Sequence, residues 1–182
     1  MSYLKRLVLF SALGLVLAVP ASSRPAADLK PGDAAPDFSL QGTDGKTHKL
    51  SDLAGKTVVV AWFPKAFTGG CTKECKSLKE SGDAIRAYDV TYFAASVDDP
   101  ETNKKFAESL ELDFPVLSDP TKQTATAYGV LNEHQVASRW TFYIAADGKI
   151  SAIDKEVKPD TAAADIASKL AELNVAKKKT SN

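Results

Sequence analysis

Thr57-Val58-Val59-Val60-Ala61-Trp62-Phe63-Pro64-Lys65-Ala66-Phe67-Thr68-Gly69-Gly70-Cys71-Thr72-Lys73-Glu74-Cys75 decides the fold. Its first six residues are a continuous apolar run rich in β-branched side chains, the pattern of a strand buried on both faces. A Pro/Gly loop follows. Beyond it Cys71, Cys75, Leu78, Gly82 and Ile85 recur at helical spacing, predicting one helix with a single buried stripe running to about Tyr88. Strand, loop and helix thus deliver Cys71 to a helix N-terminus, where unpaired N–H groups and the helix dipole favour a thiolate. Lys73 and Lys76 add positive charge nearby. The bland alternative for Cys71 is an inert core cysteine, and the polar Thr68-Gly69-Gly70 approach argues against it.

Outward from this stretch, strands and helices alternate. Phe38-Ser39-Leu40 and Thr47 to Leu50, around a Gly42-Thr43-Asp44-Gly45 turn, predict a hairpin. Val90 to Val97 reads as a second buried strand and Phe114 to Leu117 as a short, edge-like one. Trp140 to Ala145 turns at Asp147-Gly148 into Ile150 to Ile153, another hairpin. Asp99-Pro100 predicts an N-cap with Pro at the first helical position, and Thr121 to Tyr128 a short helix stopped by Gly129. Asp160 is expected to cap a last helix with inner stripe Ala163, Ile166, Ala167, Leu170 and Leu173. The order predicts an α/β domain with a central mixed β-sheet, helices on its flanks and an N-terminal hairpin extension.

Composition bounds the rest. Lys5 and Arg6, then apolar Leu7 to Val19, then Val19-Pro20-Ala21, form the pattern of an export signal over residues 1–21. Thirteen apolar residues fall short of the roughly 20 that span a bilayer. The expectation is therefore an exported, periplasmic or secreted protein, with an uncleaved signal anchor as the alternative and no membrane attachment after cleavage. Residues 22–36 are Pro/Ala-rich and irregular, 37–174 make the domain, and 175–182 read as a basic, solvated, flexible tail. Cleavage after Ala21 leaves 161 residues with 21 basic and 23 acidic side chains, a balance that gives no reason to expect nucleic acid. Two cysteines four residues apart are too close for a structural staple; a redox pair or a metal site fits an exported domain better. Cys75 lies on the apolar stripe, so it is either a core residue or a partner for Cys71. On a regular helix, Cβ atoms at this spacing sit about 5–6 Å apart. A disulfide needs roughly 3.5–4.5 Å, so a bridge requires the first turn to distort.

Pro64-xxx-Thr68-xx-Cys71-xx-Glu74 resembles the active-site signature of the peroxiredoxins. Ser138-Arg139-Trp140-Thr141-Phe142-Tyr143-Ile144 before Asp147-Gly148-Lys149-Ile150 is similar to that family's later arginine strand. Ala35-Pro36-Asp37-Phe38, Ser51-Asp52-Leu53 and Leu117-Ser118-Asp119-Pro120 stand where the family has comparable segments. The likeness spans about Leu29 to Leu173 and is closest to the PrxQ, or bacterioferritin comigratory protein, branch. It implies a thioredoxin-like fold and a thiol-dependent peroxidase acting on hydrogen peroxide or organic hydroperoxides. Cys71 would be the peroxidatic nucleophile, with Thr68 and Arg139 stabilising thiolate and leaving oxygen, Pro64 shaping the pocket and Glu74 orienting Arg139. A surface arginine on an edge strand is the alternative for Arg139. The implied partners are the peroxide and a thioredoxin-like or small-thiol reductant, with no cofactor and a monomer or weak homodimer. One departure stands out: that branch places its resolving cysteine five residues after the first, and here the interval is four. Cys75 therefore resolves the sulfenic acid only if the helix permits it, and otherwise an external thiol does.

Two rival readings share the cysteines. Cys71, Cys75 and His134 resemble the two-thiol, one-imidazole copper site of Sco-type chaperones. The prolines usual there are missing, Arg139 would repel a cation, and His134 reads equally as a solvated loop residue. A periplasmic thiol-disulfide oxidoreductase normally places Cys-xx-Cys directly after its strand, whereas eight residues separate Trp62 from Cys71 here. His48 has no evident role.

Overall fold

The computed structural model describes residues 28–178. The expected export signal over 1–21, and the part of the irregular segment before residue 28, lie outside the described residues. Twelve elements follow: β1 (Ser39–Gly42), β2 (Thr47–Lys49), β3 (Thr57–Trp62), α1 (Gly69–Glu80), α2 (Gly82–Arg86), β4 (Val90–Ser96), α3 (Pro100–Leu110), β5 (Val116–Ser118), α4 (Gln123–Ala127), β6 (Thr141–Ile144), β7 (Ile150–Asp154) and α5 (Ala162–Glu172). A short 3-10 turn occupies Ser51–Leu53.

All seven strands join one mixed sheet in the order β2-β1-β5-β4-β3-β6-β7. The centre is parallel, β3 beside β4 beside β5, as βαβ crossovers require. Both hairpins add antiparallel strands, β1 on β5 and β6 on β3. The segment expected to be edge-like is therefore interior. The N-terminal hairpin docks on β5 and covers the edge that the local sequence leaves open.

The period of two along β3 sorts its side chains onto two cores. Val59 and Ala61 join Leu78, Ile85, Phe106, Ile166 and Leu170 under α1, α2, α3 and α5. Val58, Val60 and Trp62 join Phe38, Phe93, Tyr128, Phe142 and Ile150 on the other face. With apolar partners on both sides, a strand has no solvent face to mark with polar residues, which is why Thr57–Trp62 reads as a continuous run.

The long helix predicted to Tyr88 is instead broken at Ser81, whose φ of −110° and ψ of 15° leave helical geometry, and α2 restarts at Gly82. The apolar stripe survives the break, because Cys71, Cys75, Leu78, Gly82 and Ile85 are all buried. Asp99 caps α3 as expected, its side chain accepting from the Thr102 N–H at 2.9 Å, with Pro100 in the first turn. Asp160 does not cap α5. The helix begins at Ala162 with Thr161 at the N-cap, and Asp160 faces Lys73 at 3.4 Å.

The tail also differs from expectation over its described part. Asp89 N–H donates to the Ala176 carbonyl at 2.7 Å, and Lys178 N–H to the Ala87 carbonyl at 2.9 Å. Val175 packs on the core, and the Lys177 ammonium sits over the Tyr88 ring. Lysine-rich composition suggests a solvated end, but backbone groups, which carry no sequence signal, anchor it.

Candidate active site

β3 and β4 run parallel, so the chain leaves β3 at the sheet edge where β4 also ends. Phe63 N–H donates to the Ala95 carbonyl at 2.9 Å and fixes that exit. Pro64 is half-buried at the start of the loop. Phe67 adopts φ 63°, a left-handed conformation that costs a side-chain-bearing residue about 1–2 kcal/mol. Its ring is 57% exposed and meets Phe106 edge-on at 5.2 Å. α1 then opens, and Cys71 falls in its first turn, where backbone N–H groups have no partners within the helix.

The Thr68 side chain makes no capping bond to those N–H groups. Its hydroxyl donates to the Lys65 carbonyl at 2.9 Å, across the turn it closes. That bond engages the one hydroxyl proton of Thr68 within the loop, so a further hydrogen bond at its oxygen would be one it accepts. Lys73, expected to lend charge to Cys71, is exposed and turned to Asp160.

Arg139 comes from a distant part of the chain. It lies just before β6, between two anchors: Ser138 N–H donates to the Val130 carbonyl at 2.7 Å, and Trp62 N–H donates to the Trp140 carbonyl at 2.8 Å. The second anchor joins the arginine segment to β3 itself. From there Arg139 Nη2 reaches Cys71 Sγ at 3.3 Å, and Nη1 donates to Glu74 Oε2. One forked guanidinium thus bridges the first and second turns of α1. Gly70 makes the approach feasible: a Cβ there would stand 3.0 Å from Nη2. Sequence reading takes Gly70 only as part of the polar, Gly-rich approach to Cys71, and the contact that needs it lies 69 positions away.

Cys71, Glu74 and Cys75 are all buried. Glu74 Oε1 has no hydrogen-bond partner. Burial pushes the Glu74 carboxyl up to about 7, even though the Arg139 charge and hydrogen bond pull the other way. Burial likewise drives the Cys75 thiol well above its ordinary value, with the Glu74 and Cys71 charges acting in the same direction. Cys75 packs among the apolar side chains that include Leu78 and Ile85, and both cysteines are free thiols.

His134 is four-fifths exposed on the turn before Arg139. Among the described residues no three His, Cys, Asp or Glu side chains gather to hold a metal ion, so the Cys71, Cys75 and His134 copper site is not formed. His48 does have a role in the fold: it binds Asp44 at 3.0 Å across the first hairpin and stacks edge-on against Phe93. An apolar recess of about 330 Å³ between Leu53, Val58, Ile144 and Gly148 lies at the opposite end of β3 from this site.

A buried thiol at a helix N-terminus, met by a guanidinium and lying beyond a parallel central strand, defines a thiol peroxidase site on a thioredoxin-like fold. Comparison with known proteins agrees. Peroxiredoxin Bcp of Escherichia coli (strain K12) is 37% identical over 137 residues, spanning 71% of this chain and 88% of its own length. Peroxiredoxin Bcp of Bacillus subtilis (strain 168) is 34% identical over 134 residues, spanning 70% and 85%. The crystal structure of Peroxidoxin BcpB from Mycobacterium tuberculosis matches with a TM-score of 0.72 at 29% identity, covering 79% of this chain and 97% of that one. The model of the AhpC/TSA family matches residues 31–153. The chain belongs to the AhpC/TSA family, and its activity is that of a peroxiredoxin, a thiol-dependent peroxidase.

Proposed function

We propose that Cys71 is the peroxidatic residue of an exported peroxidase, with Arg139 as its electrophilic partner and an external thiol as its reductant. The observation that carries the assignment is the Arg139 guanidinium, which touches Cys71 Sγ and is held by Glu74. The Cys71 thiolate attacks the nearer peroxide oxygen; the S–O bond forms as the O–O bond breaks. Sulfur is oxidised by two electrons to sulfenic acid, and the departing oxygen takes a proton to leave as water or an alcohol. Arg139 meets the negative charge first on sulfur and then on the leaving oxygen. Thr68, its own proton given to Lys65, presents lone pairs to the hydroperoxide O–H. Pro64 and the loop exclude water.

An incoming thiol then condenses with the sulfenic acid, releasing water and forming a disulfide that a second thiol reduces. One observation favours an outside donor, of thioredoxin type or a small thiol, over Cys75: that thiol has no cationic partner in hydrogen-bond contact, and burial disfavours its thiolate. Export rests on the residue 1–21 pattern. Mass spectrometry after one equivalent of peroxide tests the mechanism. Sulfenic acid on Cys71 is expected, trapped quantitatively by an added thiol. A Cys71–Cys75 bond formed faster than thiol capture would overturn the external-donor part. Unmodified Cys71 with peroxide consumed would overturn the whole.

A further inference from the structure

The loop from Pro64 to Thr68 carries the strained Phe67 backbone and an exposed aromatic ring, yet the helix it opens must present Cys71 to Arg139 within ångströms. Such a conformation persists only where its surroundings over-determine it. Besides the Phe67 ring on Phe106, the loop is tied to a distant part of the chain by the Ala66 N–H, one residue before Phe67, which donates to Asp98 Oδ2 at 2.8 Å.

Asp98 is itself held from behind. Ser96 Oγ lies 3.0 Å from the same Oδ2 and accepts the Asp98 N–H at 3.2 Å. Asn103 Nδ2 donates to Ser96 Oγ at 3.0 Å and to Ser118 Oγ at 2.9 Å. Ser96, Asn103 and Ser118 are fully or almost fully buried. Counting protons gives the chain a direction. The amide has two, and both serine oxygens take one. Ser96 has a single hydroxyl proton with two acceptors in reach, Asn103 Oδ1 at 3.1 Å and the carboxylate, and the charged acceptor is the stronger. The network therefore ends on Asp98, aimed at Ala66. Ser96 and Ser118 close β4 and β5, paired directly across the sheet, at the edge where β3 releases the active-site loop.

We propose that Asp98 is a positioning residue of the peroxidase site. Oriented by Ser96, Asn103 and Ser118, its carboxylate fixes Ala66 N–H and so holds Phe67, Thr68 and the first turn of α1 where Cys71 meets Arg139. The assignment rests on Cys71 being the peroxidatic residue. It extends the site to Ser96 at the end of β4 and Asn103 in α3, neither of which hydrogen-bonds the sulfur.

The test measures the second-order rate of the full chain with hydrogen peroxide, together with the pH profile of Cys71 alkylation, in Asp98→Ala, Asp98→Asn, Ser96→Ala and Cys71→Ser. Asp98→Ala is expected to slow peroxide reduction by roughly tenfold to a hundredfold, the scale of a small misplacement of a reacting group. The pH at which alkylation is half-maximal should rise with it. Asp98→Asn keeps an acceptor for Ala66 N–H and should recover most of the rate. Ser96→Ala, which loosens the carboxylate without removing it, should fall between, and it carries the test if Asp98→Ala does not fold. Ile144→Ala, in the opposite core, controls for lost stability: its melting temperature drops and its alkylation profile stays. Wild-type rates in folded Asp98→Ala or in Ser96→Ala, with Cys71→Ser inactive, overturn the Asp98 role alone. Equal losses in Asp98→Asn and Asp98→Ala overturn it too. An active Cys71→Ser overturns the Cys71 reading and this inference together.

Discussion

Cys71 and Cys75 are the same residue type, one turn apart on one helix, and both are buried. They differ in what surrounds them. Cys71 lies in the turn with unpaired N–H groups and receives Arg139 Nη2 at 3.3 Å. Cys75, one turn deeper, packs among apolar side chains, and its thiol is held well above its ordinary range. Burial therefore says nothing about reactivity until the partner is named: a buried sulfur with a guanidinium can carry charge, and one among hydrocarbons cannot.

The two cysteines should differ most when the sulfur itself is replaced. Cys71→Ser should reduce peroxide consumption to the uncatalysed background in a coupled peroxidase assay. Activity surviving in that variant would erase the distinction. The next largest effect belongs to Arg139→Ala, expected to cost roughly 100- to 1,000-fold in the rate of Cys71 oxidation by stopped flow, the scale of removing one charge-stabilising donor. A rate within twofold of wild type would mean that the helix N-terminus alone distinguishes the two cysteines.

Glu74→Gln sharpens the contrast through pH. The folded-state carboxyl titrates near 7, above its ordinary value of 4.5, because burial outweighs Arg139. The native state thus holds a proton that the unfolded chain releases. Its contribution to stability is complete below about 4.5 and disappears as pH rises through about 7. Denaturant titrations should show wild type losing stability across that window relative to Glu74→Gln. Parallel stability curves would show that Arg139 keeps the carboxylate ionised throughout. The smallest effect is expected for Cys75→Ala, about 1 kcal/mol of stability, with the Cys71 oxidation rate within about twofold of wild type.

Much of this architecture is legible in the chain. The apolar run of β3, the hairpin turns, and the Asp99-Pro100 cap are local signals, because each depends on residues a few positions apart. Pro64, Cys71, Glu74 and Arg139 are legible through their resemblance to a known signature, and the structure brings Cys71, Glu74 and Arg139 into contact. What escapes the sequence depends on hydrogen bonds between distant groups. The Thr68 proton goes to a backbone carbonyl, the tail is tied down by Ala87 and Asp89, and β5 becomes interior because β1 pairs with it, Gln41 opposite Ser118 and Gly42 opposite Leu117. Asp98 reads as a loop residue beside a helix cap. Only the fold shows that Ala66 N–H points at it.

The position of Cys75 also sets a clock. Its thiol reaches Cys71 only when the hydrogen-bonded first turn of α1 opens, so any internal disulfide forms at the chemical rate multiplied by the small fraction of time that turn is open. The lifetime of the oxidised sulfur, and with it the interval in which an outside thiol can intervene, is then governed by the local stability of one helical turn. Substitutions that strengthen or weaken that turn would tune the interval without touching either sulfur.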